Sequence, residues 1–279
     1  MQTHYLTLQH SAEYRMAYHQ WGDADNPRVL VCVHGLARNG RDFDFIAEQL
    51  SSEYRVICPD VVGRGVSDWL PENLAYDMPL YVADMQALLQ HLQLTQVDWL
   101  GTSMGGIIGM LLASLPESPI QRLVLNDVGC RIPAAALQRI AMYVGDHGFE
   151  SLAEIEAYMR KTYRAYHDLE DRQWQHLARY GHRRDQSGRL HLHYDPRIAG
   201  GLATTQYEDI DLMPYWSQVT CPQLLIWGEE SDLLEAATVT IMQAANPQLD
   251  VLKIAATSHA PALMMPAQMQ PVCDWLLNR

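Results

Sequence analysis

The sequence has no apolar run approaching the ~20 residues that a helix needs to cross a bilayer. Its start, Met1 to Tyr5, also lacks the charged and then apolar layout of a signal peptide. These two absences predict a cytoplasmic location and no membrane partner. Repeats and low-complexity segments are absent too. With hydrophobic residues at 48% and charged residues at 19%, the 279 residues are typical of a globular protein with a large core.

Cysteine is scarce, and its spacing indicates neither disulfides nor a metal site. The five cysteines are an odd number, and none of them form a C-x-x-C pair. Cys32 and Cys58 lie in strand-like apolar runs, where a free thiol packs as a small hydrophobic group. The nearest approach to a paired metal ligand is His191-Leu192-His193, which alternation on a short exposed strand explains equally well. We therefore predict no metal and no cofactor.

Positive charge is in deficit, and the formal net charge is −13. Such a chain repels phosphate backbones and anionic membrane surfaces, which excludes nucleic acid as a partner. The deficit is uneven, because residues 131–213 carry 11 basic and 12 acidic residues and are nearly neutral.

Strand-like and helix-like segments alternate through most of the chain. The β-branched run Val29 to Val33 is typical of a strand buried on both faces of a parallel sheet, and an amphipathic helix is predicted over Pro79 to Leu92. Repetition of this order predicts an α/β fold, with a mostly parallel central sheet flanked by helices.

The alternation stops after Asp127. From Arg131 onward the periodicity is helical, and Ser151-Leu152-Ala153-Glu154 is a capping box that predicts the start of a helix. We therefore expect residues 1–130 and 214–279 to form the α/β core. Residues 131–213 are expected to form a mainly helical cap, inserted after the sixth core strand.

The pentapeptide Gly101-Thr102-Ser103-Met104-Gly105 lies between a strand-like run and an apolar helix-like stretch. This is the G-x-S-x-G pattern of a nucleophile elbow, which exposes a serine hydroxyl above a parallel sheet. A serine nucleophile needs a base to take its proton. In proteins with this elbow on a parallel sheet, an acid and then a histidine follow the serine in the chain. Asp232, after the strand-like Gln223 to Trp227, is the predicted acid. His259, after the last strand-like run, is the predicted base.

A negative oxygen forms when the serine attacks a carbonyl carbon, and it needs hydrogen-bond donors already in position. The backbone N–H of Met104, directly after the serine, is one candidate. The second donor is expected from the loop after the Val29 to Val33 strand, where Gly35 lets the backbone turn inward. The N–H of Leu36 is our candidate there.

Four motifs in their chain order resemble those of the α/β-hydrolase fold superfamily, in its serine-nucleophile branch. They are His34-Gly35, Asp60-x-x-Gly63-x-Gly65-x-Ser67, Gly101-x-Ser103-x-Gly105-Gly106 and Ser258-His259-Ala260-Pro261. The resemblance covers essentially the whole chain and implies a serine triad. It also implies that His34 is a structural loop residue rather than a second base.

The resemblance leaves the acid open. The family's acid commonly lies three residues after the glycine that ends its strand, but Ser231 occupies that position here and Asp232 is one residue further on. Asp127 is the main rival, because some relatives place their acid at the end of the preceding strand. Glu230 is a weaker alternative.

The resemblance favours a hydrolase that acts on a small carboxylic ester through an acyl-enzyme. Dehalogenases and epoxide hydrolases of similar sequence carry aspartate at the elbow. Hydrolases that cleave a C–C bond in ring-cleavage products keep the serine, but they tend to have a longer glycine-rich loop than Leu36-Ala37-Arg38 and a tryptophan where Ala260 stands. A non-catalytic ligand-binding protein on the same scaffold stays open, since fold alone does not determine function.

The substrate contacts are the least determined part of the sequence. Arg38, beside the oxyanion loop, is a candidate to bind a carboxylate on the acyl group, although arginines that pair with the acidic core explain the same charge pattern. Met142 and Met264 are candidates to line an apolar acyl site, although methionine commonly fills gaps in a core. A small-molecule ester is the predicted partner, and the sequence does not determine the oligomeric state.

Overall fold

Strands and helices alternate through the first half of the chain and again from residue 223 onward. The computed structural model describes residues 1–10, 12–163, 166, 168–202 and 206–278. The strands among these residues are β1 (Gln2–Gln9), β2 (Glu13–Trp21), β3 (Val29–Val33), β4 (Arg55–Pro59), β5 (Val97–Thr102), β6 (Ile120–Asn126), β7 (Arg131–Ile132), β8 (Gly148–Phe149), β9 (His182–Arg184), β10 (Leu190–Leu192), β11 (Ile210–Asp211), β12 (Gln223–Gly228) and β13 (Asp250–Ile254).

The α-helices of the described residues include the amphipathic helix that the sequence predicts near Pro79. They are α1 (Asp44–Leu50), α2 (Met78–His91), α3 (Met104–Ala113), α4 (Ala134–Ala141), α5 (Leu152–Thr162), α6 (Asp171–Tyr180), α7 (Met213–Trp216), α8 (Ala236–Ala245) and α9 (Pro266–Asn278). Among these residues, no helix is both long enough and apolar enough to span a bilayer.

Eight strands form one central sheet in the order β1-β2-β4-β3-β5-β6-β12-β13. The hairpin β1-β2 is antiparallel and joins β4 in antiparallel register, while every pairing from β4 to β13 is parallel. The predicted α/β class, with its mostly parallel sheet, is confirmed. Because the carboxyl ends of parallel strands meet at one edge, the loops after β3, β5, β6, β12 and β13 lie at the same end of the sheet.

The sheet is buried on both faces, and β3 shows why the sequence predicts this. Its five residues are all buried, with Val29, Val31 and Val33 packed in one apolar cluster and Leu30 and Cys32 in the other. Alternate side chains of a strand point to opposite faces, so a strand with a layer on each face has no polar position.

Residues 131–213 add no strand to the central sheet in their described part, but form α4 to α6 and two small sheets of short strands, β8-β10-β9 and β11-β7. The serine half of the capping box is present at the start of α5, where Ser151 Oγ accepts the N–H of Glu154 at 3.2 Å, while the Glu154 carboxylate accepts the N–H of Glu150 at 2.9 Å. The alternation at His191-Leu192-His193 indicated one short strand, β10, but the sequence did not predict the others because two- and three-residue segments show no periodicity. This separate layer supports the division into core and cap, which stays a prediction.

Candidate active site

Ser103 occupies a sharp turn between the end of β5 and the start of α3. Its backbone is left-handed, with φ of 51° and ψ of −113°, a conformation that costs a non-glycine residue on the order of 1–3 kcal/mol. The turn is held by a hydrogen bond from the Ser103 N–H to the carbonyl oxygen of Asn126, 3.0 Å away on β6. The hydroxyl is therefore presented at the carboxyl end of the parallel sheet.

The glycines of the pentapeptide are required by close backbone approach. A Cβ on Gly105 would lie 2.0 Å from the carbonyl oxygen of Val33, and a Cβ on Gly101 would lie 2.2 Å from that of Gly105. Any side chain at either position would separate α3 from the sheet. The small residues on both sides of Ser103 are thus a steric condition for the turn.

His259 lies on the loop between β13 and α9 and contacts Ser103. The distance from Ser103 Oγ to His259 Nε2 is 3.1 Å, and the distance from His259 Nδ1 to Asp127 Oδ2 is 2.7 Å. A carboxylate can only accept a hydrogen bond, so Nδ1 carries the proton and Nε2 is free to accept the serine hydroxyl. Three side chains from three strand ends form one chain of hydrogen bonds.

Asp127 follows β6 directly and is fully buried. Besides His259, its carboxylate accepts the N–H of Gly228 at 2.7 Å and the hydroxyl of Ser231 at 2.6 Å. Three donors hold both oxygens, which fixes the carboxylate and satisfies a charge that would otherwise be costly to bury.

The structure corrects the predicted position of Asp232. Its side chain is 48% exposed and forms an ion pair with Arg139 of α4, with Arg139 Nη2 at 2.9 Å from Asp232 Oδ1. The loop after β12 turns Ser231 inward, where it donates to Asp127, and so turns the next residue outward. Glu230 is also exposed on this loop.

The two candidate oxyanion donors lie beside Ser103. Met104 is the first residue of α3, and the N–H groups of a first helical turn have no acceptor within the helix. A Cβ on Gly35 would lie 3.7 Å from Ser103 Cβ, so the loop that carries Leu36 runs directly past Ser103. The arrangement is compatible with both backbone donors, and their role stays a prediction.

Arg64 is a site residue that the sequence reading missed. It is fully buried, and its Nε donates to the carbonyl oxygen of Leu36 at 2.9 Å while Nη1 donates to that of Val62 at 2.8 Å. Arg64 therefore ties the oxyanion loop to the loop after β4. Its position between Gly63 and Gly65 of the second motif was the available signal.

His34 is a structural residue, as the resemblance implies. Its Nδ1 donates to the carbonyl oxygen of Gly35 at 2.7 Å, and its Nε2 accepts the N–H of Val61 at 2.9 Å. With both nitrogens in use on backbone groups, the ring fixes the loop between β3 and α1. Burial lowers the pKa of His34 to about 4, so the ring stays neutral.

This burial predicts a pH dependence of stability. Between pH 6.5 and 4, His34 is protonated in the unfolded chain but not in the folded chain. The contribution of the neutral ring to the free energy of unfolding is therefore complete above pH 6.5 and is lost as the pH falls toward 4. The loss amounts to about 3 kcal/mol. Urea unfolding of the wild type and His34→Asn at pH 7.0, 5.5 and 4.5 measures it. We expect the difference in unfolding free energy between the two proteins to narrow by about 2 kcal/mol from pH 7.0 to pH 4.5, whereas a constant difference would contradict the buried, neutral ring.

A small pocket, the inner pocket, lies on the oxyanion side of the site and has a volume of about 70 Å³. It is lined by residues around Ser103, by the loop that carries Leu36 and by side chains from the cap, including Leu36, Arg38, Ser103, Ile140, Tyr163 and Tyr166. A much larger open space, the outer cleft, has a volume of about 730 Å³ and is lined by Arg139, Met142, Lys161, Glu230, Asp232 and Ser258. His259 and Tyr143 border both.

The three predicted substrate contacts have different positions. Arg38 lines the inner pocket but is 9% exposed and bound to Asp42, with Nε at 2.8 Å from Oδ2, so its charge is already compensated. Met142 is 76% exposed at the outer cleft. Met264 is 1% exposed in the apolar core and lines neither space. The Arg139–Asp232 ion pair joins cap to core, whereas Arg160, Arg189 and Arg197 pair with acidic residues of the cap itself.

Tyrosines of the cap form much of the inner pocket, and the sequence did not predict them as site residues. Tyr143, Tyr163 and Tyr166 all line it. Burial raises the pKa of Tyr143 to about 12 and also raises that of Tyr166, so both hydroxyls are neutral at physiological pH. They can donate hydrogen bonds to an uncharged polar group.

A family comparison covers most of the chain. The family model described as "alpha/beta hydrolase fold" matches residues 28–263, a range that includes Ser103, Asp127 and His259. The match therefore spans the site and the parallel part of the sheet, from β3 to β13, but not the hairpin β1-β2.

Individual relatives agree with the family match. The chain is 42% identical over 265 residues to a 3-hydroxybutyrate-oligomer hydrolase of Cupriavidus necator, covering 92% of this chain and 90% of the relative. A crystal structure from Rickettsia typhi has a TM-score of 0.94 at 30% identity and covers all of both chains. An α/β hydrolase from Novosphingobium aromaticivorans has a TM-score of 0.87 at 32% identity, covering 99% of this chain and 97% of that one.

Proposed function

Because the chain belongs to the α/β-hydrolase fold family and is a hydrolase of that fold, we propose that it cleaves short hydroxyacid oligoesters through an acyl-enzyme. Ser103 is the nucleophile, His259 the base and Asp127 the acid. The observation that carries this proposal is the hydrogen-bond chain from Ser103 Oγ through His259 to the buried Asp127.

The first half of the reaction forms the acyl-enzyme. His259 Nε2 takes the proton of Ser103 Oγ while Oγ attacks the ester carbonyl carbon, and Asp127 stabilises the imidazolium that results. The N–H groups of Met104 and Leu36 donate to the negative carbonyl oxygen. The ester C–O bond then breaks, and the leaving oxygen takes the proton from Nε2.

The second half releases the acid. A water molecule gives its proton to His259 as its oxygen attacks the acyl carbon, and the bond from that carbon to Ser103 Oγ breaks. Oγ recovers the proton from Nε2, so one water is consumed per ester and the triad returns to its starting state.

The substrate class is supported by the Cupriavidus necator relative, whose name states that it hydrolyses 3-hydroxybutyrate oligomers. The site agrees with an uncharged acyl group. Asp42 compensates the charge of Arg38, and the tyrosines that line the inner pocket add no charge to it. The cytoplasmic location predicted from the sequence stays a prediction.

Two assays test this function. A fluorophosphonate should add one phosphonyl group to Ser103, with loss of fluoride, and labelling should slow strongly in His259→Ala, as intact-mass and peptide mass spectrometry would measure. The dimer of 3-hydroxybutyrate should be hydrolysed to monomer, while Ser103→Ala produces none above background.

The outcomes separate the alternatives. Labelling of Ser103 without hydrolysis of the dimer would reject the oligoester and leave another acyl compound, including a ring-cleavage product, as the substrate. An unreactive Ser103 in folded protein would instead favour a ligand-binding protein.

A further inference from the structure

The inner pocket and the outer cleft meet at His259 but differ about tenfold in volume, 70 Å³ against 730 Å³. They also differ in what encloses them. Ser103 and the oxyanion loop border the inner pocket, whereas the outer cleft is bordered by charged side chains of both signs. A substrate that spans the site therefore has a short part and a long part.

The positions of Ser103 and His259 indicate which part of an ester enters each space. Ser103 and Leu36 line the inner pocket alone, whereas His259, which must give its proton to the leaving oxygen, borders both spaces, so the alcohol portion can extend past His259 into the outer cleft. The acyl portion stays bonded to Ser103 with its carbonyl oxygen at the oxyanion loop, and its remaining atoms lie in the inner pocket.

One wall of the inner pocket is held in place by contacts between its side chains. Arg38 is held by two hydrogen bonds to Asp42, and its guanidinium lies 5.3 Å from the centre of the Tyr163 ring. Tyr166 and Ile140, which is 8% exposed, complete it. Extending the acyl group would require breaking a buried ion pair or displacing an aromatic ring.

The outer cleft has the opposite character. Arg139 and Lys161 face it together with Glu230 and Asp232, so its walls carry charges of both signs beside apolar side chains such as that of Met142. Such walls can solvate a chain of ester groups and a terminal carboxylate while the rest of the substrate extends toward solvent.

We propose that the enzyme shortens an oligoester one unit at a time from its hydroxyl end. The acyl-enzyme then carries a single hydroxyacyl unit in the inner pocket, and the leaving group is the remaining oligomer with its free carboxylate. Each cycle breaks one ester C–O bond, consumes one water and releases one hydroxyacid and an oligomer one unit shorter. This inference rests on the proposed function.

A labelled trimer tests the direction. The substrate is the trimer of 3-hydroxybutyrate with ¹³C only in its hydroxyl-terminal unit. The first products should be labelled monomer and unlabelled dimer, and mass spectrometry at low conversion measures them. Labelled dimer with unlabelled monomer would overturn the inference while leaving the hydrolase function intact. No hydrolysis of any oligomer would overturn the proposed function itself.

A pair of isomeric esters tests the asymmetry without hydroxyacids. Hexyl acetate has a short acyl and a long alcohol portion, and ethyl hexanoate has the reverse. We expect kcat/KM to favour hexyl acetate by at least about tenfold, because one methylene too many in a small pocket already has an effect of that size. Equal values or the opposite preference would contradict the assignment of the two spaces.

Enlarging the inner pocket provides a matched variant. Tyr166→Ala should reduce the preference for hexyl acetate and produce some labelled dimer from the trimer, whereas Tyr166→Phe, which keeps the ring, should retain the wild-type pattern. If Tyr166→Ala is not folded, Ile140→Ala with Ile140→Val as its control makes the same comparison. An unchanged product pattern in a folded alanine variant would reject this wall as the limit on acyl length.

Discussion

Replacing Asp127 with asparagine should lower kcat by about 10⁴-fold while leaving the shape of the site intact. The amide has one acceptor where the carboxylate accepts from His259, Gly228 and Ser231. An amide nitrogen facing Nδ1 also favours the wrong tautomer of His259, with the proton on Nε2, where it blocks acceptance from Ser103. The uncharged amide in addition does not stabilise the imidazolium. Steady-state kinetics, with circular dichroism to verify folding, measure the effect.

Asp232→Asn is the matched control for this prediction. The side chain of Asp232 is half exposed and pairs with Arg139, and such surface pairs contribute about 0–1 kcal/mol, so kcat should change by no more than a few-fold. A large loss in Asp232→Asn together with a small one in Asp127→Asn would mean that the working enzyme uses Asp232 as its acid after all.

Replacing Ser103 with alanine should have the largest effect, a fall in kcat of about 10⁶-fold. Without Oγ no acyl-enzyme can form, because the only attacking group left is water. His259→Ala should be as severe, since Ser103 then keeps its proton. Burst kinetics with a p-nitrophenyl ester measure both variants, and the initial burst should be absent in each.

The double variant Ser103→Ala/His259→Ala distinguishes a working unit from two independent contributions. Because the two residues act in the same step, the double variant should be no slower than either single one within about tenfold. If the two losses multiplied instead, Ser103 and His259 would not act together. Retained binding of the monomer product by Ser103→Ala would show that the fold and the pocket survive.

The elbow is the part of the site that the sequence predicts best. Its glycines, the buried strand before it and the helix after it form one short sequence pattern. The Cβ excluded at Gly101 would clash with Gly105 nearby in the chain, whereas the Cβ excluded at Gly105 would clash with Val33 on β3. The same holds for the Ser151 capping box and for the alternation of strands and helices. In each case short-range geometry limits which residues fit.

The acid shows where local reasoning ends. Asp127 and Asp232 both follow strands of the central sheet, and the two strands are neighbours. The sequence therefore places either carboxylate within reach of His259. Which one reaches the imidazole depends on how the loop after β12 turns. Ser231 points inward and donates to Asp127, and this choice cannot be read from the spacing of the residues alone.

The sequence by itself determined the α/β class, the nucleophile elbow and the order in which serine and histidine follow each other, because periodicity and glycine sterics act over short distances. Only the tertiary structure decided that Asp127 contacts His259, that Arg64 ties Leu36 in place, and that a small pocket and a large cleft flank the histidine. These features depend on how loops and cap helices distant in the chain pack together. The small size of the inner pocket, which Arg38 and the cap tyrosines line, is therefore a property of the folded protein.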